Sequence, residues 1–140
     1  MTAALPRMLL VEPQFVLRRT LVAVGRDLAL VAFHEAANLE RARTLLMAQA
    51  YQGLVLDFQD SARALALLRE LRDGRFATAS DARVVVIATA LQAEDESRLR
   101  HLGVSEMLGR PFKISQLLER LAGIGDPQSA AATGLATFAS

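Results

Sequence analysis

The chain has 140 residues, 52% of them hydrophobic, and its acidic and basic residues nearly balance at a formal net charge of +1. These values are typical of one compact domain with a real core, exclude a disordered chain, and give no electrostatic reason to expect DNA or an anionic membrane as a partner. The absence of cysteine excludes disulfides and zinc–thiolate sites and fits a cytoplasmic location, and the apolar runs are far shorter than the ~20 residues of a membrane-spanning helix.

The first third of the chain predicts two strand–helix units. The apolar run 8–11 predicts a strand, and Pro13 suits the first turn of the helix that follows. We expect Gly25 to end that helix, whose apolar face has residues at helical spacing: Leu17, Leu21 and Val24. The run 28–33 predicts the second strand, and Asn38 is a typical N-cap for the second helix.

The rest of the chain predicts three more units of the same kind. Residues 53–56 predict a third strand that stops at Asp57 and leads into a leucine-marked helix. The run 84–87 is apolar at every position, which is typical of a strand covered on both faces. A polar helix over 93–102, a short fifth strand at Met107 and a clearly amphipathic last helix complete the pattern.

Five alternations of strand and helix predict an α/β fold with a doubly wound, five-stranded parallel sheet. We assign residues 1–124 to this domain. Residues 125–140 are rich in Ala, Ser, Thr and Gly, and we interpret them as a flexible C-terminal tail. Ligands of doubly wound sheets sit at the carboxyl ends of the strands, near the topological switch point.

Polar residues follow four of the predicted strands at that edge: Glu12, Asp57, Thr89 and Arg110. Each of them alone is explained as well by solvation of a strand end as by a functional role. Because the strand ends of a parallel sheet meet at one edge, all four together favour a common pocket.

Four segments resemble the receiver domains of the CheY-like response-regulator family. They are Leu-Leu-Val-Glu at 9–12, Leu-Val-Leu-Asp at 54–57, Ile-Ala-Thr-Ala at 87–90 and Gly-Arg-Pro-Phe at 109–112. The resemblance spans about residues 8–123 and implies the flavodoxin-like, CheY-like (βα)5 fold of that family.

The resemblance also implies the roles of the residues at the strand ends. Asp57 corresponds to the aspartate that accepts a phosphoryl group from a histidine kinase or a phosphotransfer protein. Thr89 corresponds to the switch hydroxyl, and Ala90 leaves room beside the phosphoryl group. Arg110 stands where the family has a phosphate-contacting lysine. Glu12 matches the first acid of the pair that, with Asp57, holds Mg²⁺.

Three departures from the family pattern alter this site. Pro13 replaces the second acid of the pair, which should weaken Mg²⁺ binding, although Asp60 is a nearby carboxylate that could take its place. Arg110 is bulkier than lysine and binds phosphate with a different geometry. Met107 replaces the aromatic residue that usually follows the switch.

The resulting prediction is a non-enzymatic, single-domain receiver in two-component phosphorelay signalling, whose output is binding to a downstream protein. By resemblance, its interaction face includes Leu99, Met107, Pro111 and Phe112, and weak homodimers are common in such domains. No DNA or membrane partner is expected.

Two other interpretations stay open at this point. The first is a phosphorylation-independent pseudo-receiver that binds a protein or a nucleotide, as Pro13, Arg110 and Met107 favour. The second is a small enzyme on the same fold, which the absence of a phosphate-cradling glycine loop disfavours. Substitution of Asp57 by Ala separates them, because a phosphate-independent module keeps its partner affinity and an enzyme of this second kind keeps its turnover.

Overall fold

The computed structural model describes residues 4–104 and 106–122, in which strands and helices alternate as the sequence predicts. The strands are β1 (Arg7–Val11), β2 (Ala32–Ala36), β3 (Gly53–Asp57), β4 (Arg83–Ala88) and β5 (Glu106–Gly109). The helices are α1 (Phe15–Asp27), α2 (Leu39–Ala48), α3 (Ser61–Arg72), α4 (Ala93–His101) and α5 (Ile114–Leu121). The predicted tail, 125–140, lies outside the described residues.

The strands form one parallel sheet in the order β2-β1-β3-β4-β5. The chain moves outward from β1 to β2 and then returns past β1 to β3, so the order reverses between β1 and β3. This arrangement confirms the predicted doubly wound fold and places the switch point between the ends of these two strands. Val11 of β1 pairs with Leu56 of β3, which brings the residues that follow them side by side.

The sheet separates two apolar layers that together form the core. Alternate side chains of β4 enter opposite layers: Val84 and Val86 pack with α2, α3 and α4, whereas Val85 and Ile87 pack with α1 and α5. All four are buried, which confirms that the run 84–87 is covered on both faces. None of the helices in the described ranges is both long and apolar enough to cross a bilayer.

Side-chain caps fix the starts of the two helices that follow β2 and β3. The Asn38 side chain accepts a hydrogen bond from the Arg41 N–H at 2.8 Å, as the sequence predicts. Asp60 caps α3 in the same way, and its Oδ1 accepts from the Arg63 N–H at 3.2 Å. The cap at Asp60 sets the path of the chain directly after the carboxyl end of β3.

The predicted boundaries around the first helix and the second strand are wrong. Gly25 does not end α1 but lies buried inside it, where a Cβ would come within 2.8 Å of Val31 Cγ1. The carbonyl of Gly25 accepts from the N–H groups of Leu30 and Val31, so the chain turns back over this glycine. As a result β2 begins at Ala32, four residues later than the apolar run 28–33 predicts.

Pro13 also lies in a different position from the one predicted. It precedes the N-cap, Gln14, and therefore stands outside the first turn of α1. The short segment between β1 and α1 thus contains Glu12, Pro13 and Gln14, and it forms one wall of the carboxyl edge of the sheet.

Candidate functional site

Backbone hydrogen bonds to neighbouring strands hold the residues at the carboxyl edge. The N–H of Glu12 donates to the Ala36 carbonyl at 3.1 Å, which extends the pairing of β1 with β2 by one residue. Asp57 is the last residue of β3 and is paired with Ile87 in the ladder to β4. The Arg110 N–H donates to the Ala88 carbonyl at 2.9 Å, so its side chain starts from a fixed point.

A single guanidinium bridges two buried carboxylates at this edge. Arg110 Nη2 donates to Asp57 Oδ1 at 2.7 Å and also to Glu12 Oε1. The exposed fractions of the Glu12, Asp57 and Arg110 side chains are 1%, 6% and 18%. Charge-assisted hydrogen bonds between groups so poorly exposed to water are much stronger than surface ion pairs.

Residues that the sequence interpretation missed support Glu12 from the other side. Its Oε2 accepts from the Gln14 N–H at 3.0 Å, so both oxygens of this carboxylate are engaged. Arg18 donates from Nη1 to the Glu12 carbonyl at 2.9 Å and from Nε to Glu35 at 3.0 Å. No motif marks Gln14 or Arg18, because their contacts depend on how α1 sits against β1 and β2.

Burial and charge shift the pKa values of the bridged groups. Burial raises the pKa of Asp57, and the neighbouring Glu12 carboxylate raises it further against the opposing hydrogen bond from Arg110. Burial lowers the pKa of Arg110, but its hydrogen bonds to Glu12 and Asp57 outweigh this and leave the pKa above its ordinary value. Arg110 is therefore permanently charged, and the cluster has one carboxylate charge in excess.

The oxygen ligands of this edge fit Mg²⁺ poorly. An open pocket of about 170 Å³ lies beside Asp57 and is also lined by Pro13, Gln59, Asp60 and Arg63. Pro13 offers no side-chain oxygen there, and Asp60 Oδ1 is used to cap α3. Within residues 4–104 and 106–122 no group of three or more His, Asp or Glu side chains could hold a metal ion. Mg²⁺ is usually held by one or two carboxylates together with several waters, and here the carboxylates of Glu12 and Asp57 both already accept hydrogen bonds from Arg110.

Thr89 and Ala90 come directly after β4, which lies between β3, the strand that ends at Asp57, and β5, the strand that precedes Arg110. They follow β4 in a bend, and both are exposed. The structure thus joins Glu12 and Asp57 through Arg110, while Thr89 is exposed at the same edge of the sheet. The switch role of its hydroxyl stays a prediction.

The predicted interaction face is only partly a surface. Pro111 is exposed, and Met107 and Phe112 are half-buried, with the Phe112 ring 5.9 Å from the Arg110 guanidinium carbon. Leu99, in contrast, is fully buried because it is the apolar residue that anchors the polar helix α4 on the sheet. Leu99 is thus a core residue in this conformation and presents no surface to a partner.

Among curated proteins no sequence matches this chain, and no protein-family model matches it either. Solved structures do match its fold. A response regulator receiver protein from Pseudomonas putida is 25% identical with a TM-score of 0.72, over 84% of this chain and 96% of that one.

Two other matches have ions in their structures. One is the receiver domain of a sensor histidine kinase from Pseudomonas aeruginosa, with a magnesium ion in its active-site cleft; it is 21% identical with a TM-score of 0.68, over 84% of this chain and 95% of that one. The other is a response regulator from Burkholderia pseudomallei with a phosphorylated aspartic acid, a calcium ion and citrate; it is 21% identical with a TM-score of 0.68, over 92% of this chain and 74% of that one. The chain has the CheY-like fold of response-regulator receiver domains.

Proposed function

We propose that this chain, which has the fold of response-regulator receiver domains, acts as a receiver in two-component signalling and accepts a phosphoryl group on Asp57. The observation that carries the proposal is the position of Asp57. It ends β3 at the switch point of the sheet, forms a pair with a second carboxylate, and borders an open pocket. This is where a doubly wound fold presents its ligands.

The proposed chemistry is transfer to a carboxylate. An oxygen of Asp57 attacks the phosphorus of a phosphohistidine on a kinase or phosphotransfer protein, the P–N bond breaks, and an acyl phosphate forms on Asp57. Arg110 already donates to Asp57 and has other N–H groups that can bind phosphoryl oxygens. The phosphorylated aspartic acid of the Burkholderia neighbour is consistent with this chemistry on the same fold.

The proposed output is binding to a downstream protein. The loop after β5 connects Arg110 directly to Pro111 and to Phe112, so a change in the bonding of Arg110 is transmitted to a partly exposed surface. Phosphorylation then shifts the population of two arrangements of this loop. A histidine kinase or phosphotransfer protein as the donor, a downstream protein as the target, and a cytoplasmic location stay predictions.

Phosphorylation can be tested by intact-protein mass spectrometry after incubation with acetyl phosphate. The expected result is a mass increase of one phosphoryl group that hydroxylamine removes, as an acyl phosphate requires. Asp57→Asn should abolish the increase, whereas the control Asp81→Asn, in an exposed loop, should leave it unchanged. An increase that survives Asp57→Asn would mean that a different residue is modified.

A second candidate is a phosphorylation-independent binding module, and the Arg110 bridge is the observation that favours it. Because Arg110 holds both acids, Asp57 is less free to attack than an unpaired carboxylate. Amide NMR spectra with acetyl phosphate and with beryllofluoride separate the two candidates. If the amide signals of Asp57, Thr89 and Met107 respond to neither compound, the binding module remains as the proposed function of this chain.

A further inference from the structure

We propose that Arg110 is the resident cation of the Glu12–Asp57 pair and takes the place of a divalent metal ion, so that this site functions without magnesium. The proposal concerns how the site is neutralised, and it does not depend on whether Asp57 is phosphorylated. Its consequence is a receiver fold in which a residue of the chain itself, and not an ion from solution, neutralises the carboxylates of the site.

The first argument is geometric. Arg110 Nη2 contacts one oxygen of each carboxylate, Asp57 Oδ1 at 2.7 Å and Glu12 Oε1. A divalent ion held by Glu12 Oε1 or by Asp57 Oδ1 would have to displace Arg110 from that oxygen. The remaining oxygen of Glu12 already accepts from the Gln14 N–H. Metal binding therefore has to break hydrogen bonds that the protein itself makes.

The second argument concerns charge. Magnesium is needed at an acidic cluster because buried carboxylates repel each other and are costly to remove from water. Here Pro13 removes one carboxylate from the edge, and Arg110 neutralises one of the two that remain. The excess is a single negative charge at Asp57, which borders the open pocket, so the electrostatic attraction for a divalent ion is small.

The third argument is that the cation is tethered. Arg110 is held by its backbone bond to the Ala88 carbonyl and by the Phe112 ring beside its guanidinium. A tethered group competes with an ion from solution at a high effective concentration. Its guanidinium also cannot be neutralised by loss of a proton under physiological conditions.

The test is a titration of the protein with MgCl₂ alone. Binding is monitored by the shifts of the amide NMR signals and by the melting temperature. Wild-type protein should show no saturating shifts at Glu12, Asp57 and Gln59 at millimolar magnesium. Arg110→Gln removes the charge and keeps a shorter polar side chain, and it should bind magnesium about tenfold more tightly than wild type, because affinity follows the charge of the ligand set. Pro13→Asp in the Arg110→Gln background should increase the affinity further.

Arg120→Gln is the matched control. Arg120 also pairs with a mostly buried acid, Glu106, at 2.6 Å, but it lies on α5 and away from the carboxyl edge. Its substitution removes an arginine–glutamate pair without opening the site, so it should leave the magnesium response at the wild-type level. Arg110→Lys keeps a positive charge but loses the guanidinium that holds both acids, so its magnesium affinity should lie between those of wild type and Arg110→Gln.

Two results would overturn the proposal. The first is wild-type protein that saturates with magnesium as tightly as Arg110→Gln. The second is an Arg110→Gln/Pro13→Asp protein that folds and yet binds no magnesium. If Arg110→Gln does not fold, the wild-type titration and Arg110→Lys still decide, because tight magnesium binding by wild type alone is enough to refute it.

Phosphorylation with and without EDTA keeps this proposal separate from the proposed function. If acetyl phosphate still labels Asp57 in the presence of EDTA, the result supports both the phospho-acceptor role and the resident-cation proposal. No labelling under any condition counts against the phospho-acceptor role and leaves the titration result unaffected. Labelling that EDTA abolishes would contradict the resident-cation proposal while supporting the phospho-acceptor role.

Discussion

Arg110→Gln is the substitution with the largest expected effect on stability. Removal of the guanidinium leaves Glu12 and Asp57 as neighbouring buried carboxylates without a counter-charge. Removal of one partner from a buried ion pair costs about 3–5 kcal/mol. Because the pocket beside Asp57 admits water, we expect the lower end of that range, about 3 kcal/mol, or roughly 10 °C in melting temperature for a domain of this size.

The loss of folding stability caused by Arg110→Gln should increase from acid to neutral pH. In wild type the pKa of Asp57 is already raised by burial and by Glu12, and the hydrogen bond from Arg110 opposes the shift. Without Arg110 the pKa of Asp57 rises further, so the folded variant holds a proton that the unfolded chain has released. Its stability then falls as pH rises from about 4, the ordinary Asp value, through the raised folded pKa. The penalty is therefore largest near neutral pH and shrinks in acid.

Urea unfolding at about pH 7 and about pH 4.5 measures this difference directly. A double-mutant cycle with Asp57→Asn tests whether the lost stability comes from the unpaired Asp57 carboxylate. If it does, Asp57→Asn should recover part of the loss in the Arg110→Gln background. Arg120→Gln is again the control: since Arg120 is 40% exposed, solvent screening should limit its cost to about 1 kcal/mol, with no comparable recovery. A loss below about 1 kcal/mol for Arg110→Gln, or an equal loss at both pH values, would refute the description of the bridge as a buried counter-charge.

Three further outcomes can be measured by the same unfolding assay. Asp57→Asn alone should stabilise the protein by up to about 1 kcal/mol near pH 7, with no gain below about pH 4, because the pKa of Asp57 is raised in the folded state. Arg72→Met should cost about 2–3 kcal/mol, since its guanidinium donates to four loop carbonyls, whereas exposed Arg69→Met should cost little. Gly25→Ala should cost about 1–2 kcal/mol, because the added Cβ would lie 2.8 Å from Val31 Cγ1; no loss would mean that the turn after α1 yields easily.

The fold could be predicted because its signals are local and repeated. The apolar run 84–87 predicts a strand buried on both faces, and Asn38 predicts the start of a helix. The structure contains both features. The boundary between α1 and β2 could not be predicted in this way. The segment 28–33 is apolar, yet Leu28 and Leu30 are exposed, since the backbone bonds to Gly25 decide where the chain turns.

The candidate site was predictable as a set of positions but not as a set of contacts. The order of the strands places Glu12 beside Asp57 at the switch point and places Arg110 at the same edge, two strands away from Asp57. That one guanidinium nitrogen contacts both acids depends on side-chain direction in the loop after β5. Leu99 illustrates the same limit, because periodicity alone does not say which apolar residue of a polar helix faces inward.

The resident-cation proposal gives Pro13 and Arg110 complementary effects on the same site. A proline between the acid and the first helix removes an oxygen ligand, which would leave a metal ion poorly held and the two remaining acids poorly neutralised. A lysine at position 110 would supply one compact charge on a flexible stem, whereas the branched guanidinium of arginine can hold both acids and still present free N–H groups. Under the resident-cation proposal, the bridge by Arg110 therefore makes up for the carboxylate that Pro13 does not supply.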